Sequence, residues 1–226
     1  MSDLGNIVLV GGGGHCKSVI EAAESAGHKI LGILDMPEYV GSSVLGYPVI
    51  GTDDDLIKYV DKALFLVTVG HIKDASLRIR LHEHIQSVGG CLATIVASTA
   101  HVSRHASIGE GSVVLHHAMV NAGAHIGKGC IINTFANIEH DAVIGDFCHI
   151  STGAMVNGNC TVGQGVFLGS QSVLVNGVGI MESCVIAAGS VVRKNIVKKG
   201  IYSGFIKDKI VRYETYSCYS GGRCKS

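Results

Sequence analysis

The stretch that decides the fold runs from residue 131 to residue 150 and reads IINTFANIEHDAVIGDFCHI. In it an isoleucine recurs every six residues, at Ile132, Ile138, Ile144 and Ile150, and a small residue follows each at the fourth position. A six-residue repeat fits neither the 3.6-residue period of an α-helix nor the two-residue alternation of a strand. It fits a parallel β-helix, in which each hexapeptide forms one side and three sides close one coil.

The same period continues without a slip from Val102 to Val192. The aliphatic residues that keep it are Val102, Ile108, Val114, Val120, Ile126, Ile132, Ile138, Ile144, Ile150, Val156, Val162, Leu168, Leu174, Ile180, Ile186 and Val192. We expect these residues to point inward and the small residues at the fourth position to let the backbone turn. Parallel strands lie about 4.8 Å apart, so the prism should have a little over five coils and be roughly 25 Å tall.

The residues before the repeat follow another pattern. Apolar runs at 6–10, 29–34, 63–69 and 91–96 predict strands, and the segments 16–26, 52–60 and 75–88 predict helices. Alternating strands and helices predict a small parallel sheet covered by helices, with its ligand at the carboxyl ends of the strands. We therefore expect an α/β Rossmann-like domain over 1–98, a β-helix over 99–200 and a C-terminal segment over 201–226.

A glycine-rich loop follows the first predicted strand. It reads Gly11-Gly12-Gly13-Gly14-His15 and opens a helix, whose N-terminal amides can bind a phosphate group. Asp35 ends the next strand and is placed to accept a hydrogen bond from a ribose or a base. The functional interpretation is a nucleotide or nucleotide-sugar site, and the alternative is a tight turn that only packs the helix. Cys16 stands where the third glycine of a dinucleotide fingerprint belongs, which argues against NAD.

One histidine of the repeat has carboxylates on both sides. His140 lies between Glu139 and Asp141, near a coil turn. A carboxylate can hold an imidazole in one tautomer, which suits a general base. The alternative is a solvated surface histidine, which is our interpretation of most other histidines of the coil.

Composition narrows the class of protein. Lys plus Arg equals Asp plus Glu at 18 each, which gives no basic patch for nucleic acid. No apolar run is long enough for a membrane span and no signal peptide is recognisable, so we expect a cytoplasmic protein. Four cysteines, Cys130, Cys148, Cys160 and Cys184, occupy the small position of the hexapeptide, where core packing is expected. No pair of cysteines has C-x-x-C spacing, so no metal site is expected.

Together, the glycine-histidine loop and the Ile-Glu-His-Asp hexapeptide resemble the NeuD/PglD-type sugar acetyltransferases over roughly residues 6–205. This family includes nucleotide-amino-sugar N-acetyltransferases and sialic acid O-acetyltransferases. The resemblance implies a left-handed β-helix, a homotrimer with active sites between subunits, acetyl-CoA as co-substrate and direct acetyl transfer for surface glycan biosynthesis. It implies a UDP- or GDP-linked amino-dideoxy sugar as acceptor, with a sialic-acid-type hydroxyl as the alternative.

The resemblance also implies a role for individual residues. His140 would be the general base, Asp141 would tune it, and Asn133 and Glu139 would line the pocket. The implied acetyl-CoA contacts are His149, Gly158 and Ser170, and the implied nucleotide-sugar contacts are Gly13, Gly14, His15, Asp35 and Gly70. Family members often end the coil with Gly-x-Pro-Ala-Lys near the CoA, where this chain has Gly204 and Lys207 but no proline.

Two further classes of protein stay open at this point. A zinc hydratase of the β-helix type would need three histidines converging between subunits, for which His117, His140 and His149 are available. A non-catalytic sugar-nucleotide-binding scaffold would tolerate replacement of His140.

Overall fold

The computed structural model describes residues 5–206, in which an α/β unit joins a three-sided prism. The elements of the first unit are β1 (Asn6–Val10), α1 (Gly14–Ser25), β2 (Lys29–Leu34), β3 (Ser43–Val44), β4 (Tyr47–Gly51), β5 (Leu64–Val67) and α2 (Ser76–Ser87), with short 3-10 helices at Pro37–Tyr39 and Asp53–Lys58. The sheet order is β3-β4-β2-β1-β5, and every pairing is parallel except that of β3 with β4. The predicted small parallel sheet is confirmed.

Three local features of this unit differ in detail from the sequence-based expectation. The helix predicted over 52–60 is the 3-10 helix Asp53–Lys58, at whose start the Thr52 amide donates to the Asp55 carboxylate. The segment between β2 and this 3-10 helix, for which no element was predicted, supplies β3 and β4. The segment 91–96 does not complete the sheet: Leu92 makes one bridge to Phe65, and Ile95–Val96 pairs with a strand of the prism instead.

The prism has three faces of parallel two-residue strands, which we name in chain order. Face A contains Ile95–Val96, Val113–Val114, Ile131–Ile132, His149–Ile150, Phe167–Leu168, Val185–Ile186 and Ile201–Tyr202. Face B contains His101–Val102, Met119–Val120, Asn137–Ile138, Met155–Val156, Val173–Leu174, Val191–Val192 and Phe205–Ile206. Face C contains Ser107–Ile108, His125–Ile126, Val143–Ile144, Thr161–Val162 and Gly179–Ile180. This is the predicted left-handed parallel β-helix. Residues 207–226, including Lys207, lie outside the described residues.

The turns between faces differ from the sequence-based expectation. The third residue after each aliphatic position, from Ile108 to Ile186, has positive φ, so this residue reverses the chain. Glycine occupies half of these positions, and the others carry side chains such as those of His117, Phe135 and Asp141. The small residue at the fourth position is buried in the core with the aliphatic residues, and the cysteines there are likewise buried. The small residues therefore fill the interior and do not make the turn.

The two units share a hydrophobic core. Helix α1 and the β1 strand pack with Val113 and Ile131, whose side chains on face A are completely buried. Arg78 of α2 adds hydrogen bonds across the same junction, to the carbonyls of Gly129 and Gly111. Face A therefore carries the α/β unit, while faces B and C stay open over most of their length. Among the helices of residues 5–206, none is long and apolar enough to cross a membrane.

Candidate active site

A histidine–aspartate pair lies at the corner between faces B and C. His140 and Asp141 follow the face B strand Asn137–Ile138, and the imidazole Nδ1 lies 2.9 Å from the Asp141 Oδ2. A carboxylate only accepts hydrogen bonds, so Nδ1 carries the proton and Nε2 keeps its lone pair. Both side chains are more than half exposed, at 55% and 61%. The pair can therefore present a basic nitrogen to a substrate at the surface of the prism.

Two glycines make room for this pair. A Cβ on Gly158, one coil further along, would lie 2.6 Å from both Cε1 and Nε2 of His140. A Cβ on Gly123, one coil earlier, would collide with the Asp141 carboxylate. The imidazole thus lies flat over backbone that has no side chain, and its position depends on Gly158.

Glu139 is held by two side-chain amides, one from the preceding coil and one from its own coil. Asn121 Nδ2 donates to Oε2 of Glu139 and Asn137 Nδ2 donates to Oε1, both at 2.9 Å. This arrangement fixes the carboxylate of Glu139 at the edge of face B, one residue before His140.

A second group of polar residues lies at the other side of face B. His149 Nδ1 donates to the carbonyl oxygen of His71 at 2.8 Å, so its Nε2 accepts from Asn133 Nδ2 at 3.2 Å. Oδ1 of Asn133 in turn accepts from the amide of Thr134. Burial lowers the pKa of His149 to about 4, so the ring is neutral at physiological pH. This chain of hydrogen bonds connects the α/β unit to the corner between faces A and B.

Two more histidines and an arginine surround His149. The ring centroids of His15 and His71 lie 6.3 and 5.7 Å from that of His149. Burial lowers the pKa of His15 to about 3 and that of His71 to about 4, and the Arg78 cation adds to both effects. Arg78 itself is completely buried and donates to the carbonyls of Val67 and Val69 as well as to the prism. The three imidazoles are therefore kept neutral by burial and by a nearby positive charge.

The glycine loop has two parts: Gly11 and Gly12 leave no room for a side chain, whereas Gly13 and Gly14 do. Gly11 has a φ of +105° and its Cβ would collide with Val69, while a Cβ on Gly12 would collide with Asp35. Gly13 and Gly14 have open space where a Cβ would stand, and their φ values are not in the left-handed region. The chain itself does not require glycine at these two positions, but close approach of a ligand to the first turn of α1 would.

Asp35 connects this loop to the end of β2 through hydrogen bonds. Its Oδ2 accepts from the Gly12 amide and its Oδ1 accepts from the Met36 amide, both at 2.9 Å. Gly70 lies near the loop, because a Cβ on it would be in ordinary contact with His15. A cavity of about 620 Å³ opens beside Asp35, between the ends of β1 and β2, the 3-10 helix Asp53–Lys58 and α2.

A single chain does not bring all the predicted residues together. His140, Asp141, Glu139 and Gly158 form one group, which we call the base corner. His149, Asn133 and Ser170 lie with the α/β unit and form another, which we call the donor corner; there Ser170 Oγ is 3.0 Å from Ser151 Oγ. One side of the prism, at most about 20 Å of extended chain, separates the two corners. Gly158, predicted with the acetyl-CoA contacts, lies under His140 at the base corner.

The structure adds residues that sequence reasoning missed. Gly123 and Asn121 support the base corner one coil away, and stepping back 18 residues from Asp141 and Glu139 along the repeat would have found both. Nothing in the sequence indicated that Arg78 is buried, because a lone arginine in a helix is normally a surface residue. Within residues 5–206, no three His, Cys, Asp or Glu side chains are placed to hold a metal ion. His117, His140 and His149 lie at different corners or faces of one chain.

Comparisons with known proteins agree with this architecture. The PglD N-terminal domain model matches residues 6–85, and the bacterial transferase hexapeptide model matches residues 123–158. A comparison with curated protein sequences returned no match.

Solved structures match over most of the chain. The acetyltransferase domain of PglB from Neisseria gonorrhoeae FA1090, in complex with acetyl coenzyme A, is 30% identical, with a TM-score of 0.82 over 88% of this chain and 96% of that one. PerB from Caulobacter crescentus, in complex with CoA and GDP-perosamine, is 29% identical, with a TM-score of 0.74 over 88% and 94%. WeeI from Acinetobacter baumannii AYE shares the fold at 22% identity, with a TM-score of 0.75 over 84% and 92%. This chain belongs to the PglD-type hexapeptide-repeat sugar acetyltransferases.

Proposed function

We propose that this acetyltransferase moves the acetyl group of acetyl-CoA to the amino group of a UDP- or GDP-linked amino-dideoxy sugar. His140 is the general base. The observation that carries the proposal is the His140–Asp141 pair, in which Nδ1 is engaged by a carboxylate and Nε2 is free. The reaction takes place in the cytoplasm, and its product is an N-acetylated sugar nucleotide for surface glycan biosynthesis.

The proposed reaction is a direct acyl transfer. Nε2 of His140 accepts a proton from the sugar amine as the nitrogen attacks the thioester carbonyl, and Asp141 stabilises the resulting imidazolium. The tetrahedral intermediate collapses with cleavage of the C–S bond, and the imidazolium returns its proton to the CoA sulfur. Placing both substrates together supplies most of the acceleration, and the base adds about 10²–10⁴-fold.

The α/β unit would hold the nucleotide. The open amides at Gly13 and Gly14 would receive the phosphates, with His15, Asp35 and Gly70 around them. PerB, which shares this architecture, was solved with GDP-perosamine and CoA, and the PglB domain with acetyl-CoA. The donor corner, with His149 and Ser170, adjoins this unit and would contact acetyl-CoA, together with Gly158.

A homotrimer would complete the site. The base corner and the donor corner lie apart in one chain, so the base corner of one subunit would face the donor corner and the α/β unit of the next. Exposed apolar side chains flank His140 on both faces: Met119 and Met155 on face B and Val143 on face C, each about two-fifths exposed. Such a surface is expected to be covered by a partner in a symmetric oligomer.

The proposal is tested by incubating the protein with acetyl-CoA and a panel of nucleotide amino sugars, following free CoA and acetylated product. We expect turnover on an amine. His140→Ala should lower kcat by at least about a hundredfold with KM little altered. His28→Ala, at the residue before β2 and outside both corners, is the matched control, and its kcat and KM should equal those of the wild type. Acetylation of sialic-acid-type hydroxyls without any turnover on amines would instead support the O-acetyltransferase.

A further inference from the structure

The cavity beside Asp35 has the form of a nucleobase site. Its walls are largely apolar and include Val10, Val69, Leu77 and Leu81, and three aspartates, at positions 35, 53 and 54, also line it. Its volume of about 620 Å³ is within the range of small-ligand pockets. It adjoins Gly11 and Asp35, so a base in the cavity and phosphates at the glycine loop could belong to one nucleotide.

Two aspartates of this cavity, Asp53 and Asp54, make no side-chain hydrogen bond within residues 5–206, and Asp53 is the partly buried one. The other two nearby carboxylates have structural partners: Asp55 accepts from the Thr52 amide and pairs with Lys58, and Asp35 holds the glycine loop. Burial, together with the Asp35 and Asp54 charges, raises the pKa of Asp53 against the opposing effect of His84. A partly buried carboxylate without hydrogen-bond donors would be stabilised by a ligand that supplies them.

We infer that the cavity binds a guanine base, whose N1–H and exocyclic N2–H₂ both donate to the Asp53 carboxylate, so that the acceptor sugar is GDP-linked. This inference rests on the proposed function and narrows its substrate class. Guanine is the common base that presents two adjacent donors to a two-oxygen acceptor, and charge-assisted pairs of this kind are strong.

The other bases fit this carboxylate poorly. Uracil and thymine offer a single N3–H flanked by two carbonyl oxygens, which a carboxylate repels. Adenine and cytosine offer one amino group beside a ring nitrogen that is itself an acceptor, so the second carboxylate oxygen would face a lone pair. Asp53 would therefore select guanine by attraction and reject the others by repulsion.

Calorimetry with nucleoside diphosphates tests the inference on the full chain. We expect GDP to bind at least about tenfold more tightly than UDP, dTDP, CDP or ADP, since a bidentate side-chain–base pair discriminates by that order. Asp53→Asn should lose GDP affinity by about the same factor. It should also gain affinity for xanthosine diphosphate, whose 2-oxo group accepts from the new amide. Such a gain proves that the variant folds. Asp61→Asn, at an exposed position outside the cavity, should keep the wild-type order.

The outcomes separate this inference from the proposed function. Tightest binding of UDP or another diphosphate, or an unchanged preference in Asp53→Asn, would overturn the guanine assignment and leave amine acetylation intact. Absence of binding by every diphosphate and every nucleotide amino sugar would overturn both.

Discussion

The His140 imidazole rests on a residue without a side chain, and this contact makes Gly158 a positioning residue. Its φ is not in the left-handed region, so alanine can adopt the backbone conformation without strain. The added methyl group would displace the ring, which lies 2.6 Å from where the Cβ would stand. Steric displacement of a general base by an ångström changes rates strongly while leaving the fold intact.

Gly158→Ala should therefore lower kcat by about tenfold or more, with a free energy of unfolding close to wild type. The measurement is steady-state kinetics beside urea unfolding. Gly179→Ala is the matched control, because a Cβ there would make only ordinary contact with Asn195. A variant with wild-type kcat would show that the imidazole does not need this position.

The four glycines of the loop should respond differently to substitution. Gly13→Ala has room for its methyl group in the free protein, so we expect normal stability and a loss of nucleotide affinity of about tenfold or more, because the methyl group blocks ligand approach. Gly11→Ala should destabilise the protein by about 1 kcal/mol or more, because its φ is positive and Val69 is in the way. Thermal unfolding and nucleotide titration of both variants test these two expectations. If the two variants were equally stable, Gly11 would not have the structural role that distinguishes it from Gly13.

Helix α2 is anchored to both units by one side chain. Arg78 donates to carbonyls at the end of β5 and to Gly129 in the prism, and no carboxylate among residues 5–206 pairs with it. Its charge costs solvation free energy, since burial lowers the pKa of Arg78 to about 10. The carbonyls would be left without donors if it were removed.

Arg78→Met should destabilise the protein by about 2–3 kcal/mol or more, the expected cost of orphaning buried acceptors. Urea unfolding measures it. Arg80→Met is the control, because Arg80 is exposed and donates only a long hydrogen bond, of 3.5 Å, to Ser76 Oγ within the described residues. A more stable Arg78→Met variant would mean that the cost of burying the cation outweighs its hydrogen bonds.

The elements were predictable to the extent that a repeat or a capping pattern specified them. The six-residue spacing located the strands of the prism, since each inward aliphatic residue is the second residue of its strand. Strand β4 was missed because proline normally excludes a central strand; here Pro48 pairs with Ser43 of the two-residue edge strand β3, and the register with β2 runs through Val49 and Gly51 instead. Ile95–Val96 was assigned to the wrong sheet, because an apolar dipeptide does not reveal its partner.

Four buried histidines at the junction of the two units should make the molecule acid-labile. Burial lowers the pKa of His15 and His82 to about 3 and that of His71 and His149 to about 4. The unfolded chain binds protons at these groups below about pH 6.5, and the folded chain does not. Their contribution to stability is therefore complete above pH 6.5 and is lost as the pH falls toward 4 and 3.

Between pH 7.5 and pH 5.5 the free energy of unfolding should fall by as much as about 5 kcal/mol, or about 1.4 kcal/mol for each histidine. Urea unfolding at the two pH values measures this change. His82→Gln should reduce this difference in the free energy of unfolding by about 1.4 kcal/mol, the contribution of one histidine. Stability that is unchanged over this range would contradict the assignment of neutral, buried imidazoles.

The positions of the candidate site residues could be predicted better than their assembly. Asn133 and His140 are seven residues apart, so the repeat already places them at successive corners of the prism. Sequence could not show that the α/β unit covers face A, because that packing depends on Arg78 and on the shared core around Val113. The placement of the base corner and the donor corner at opposite edges of face B is therefore a structural result, and in the proposed function a second chain would complete the site.

Subunit complementation tests this claim most directly. His140→Ala removes the base, and Gly13→Asp places a carboxylate where the phosphates should bind, at a position with room for it. Each variant alone should be inactive. Co-expressed at equal levels and purified through two tags, they should regain about one third of the wild-type rate, because one of the three interfaces in every mixed trimer pairs an intact base corner with an intact nucleotide site. Mixed oligomers that stay as inactive as the single variants would show that each chain carries its whole site.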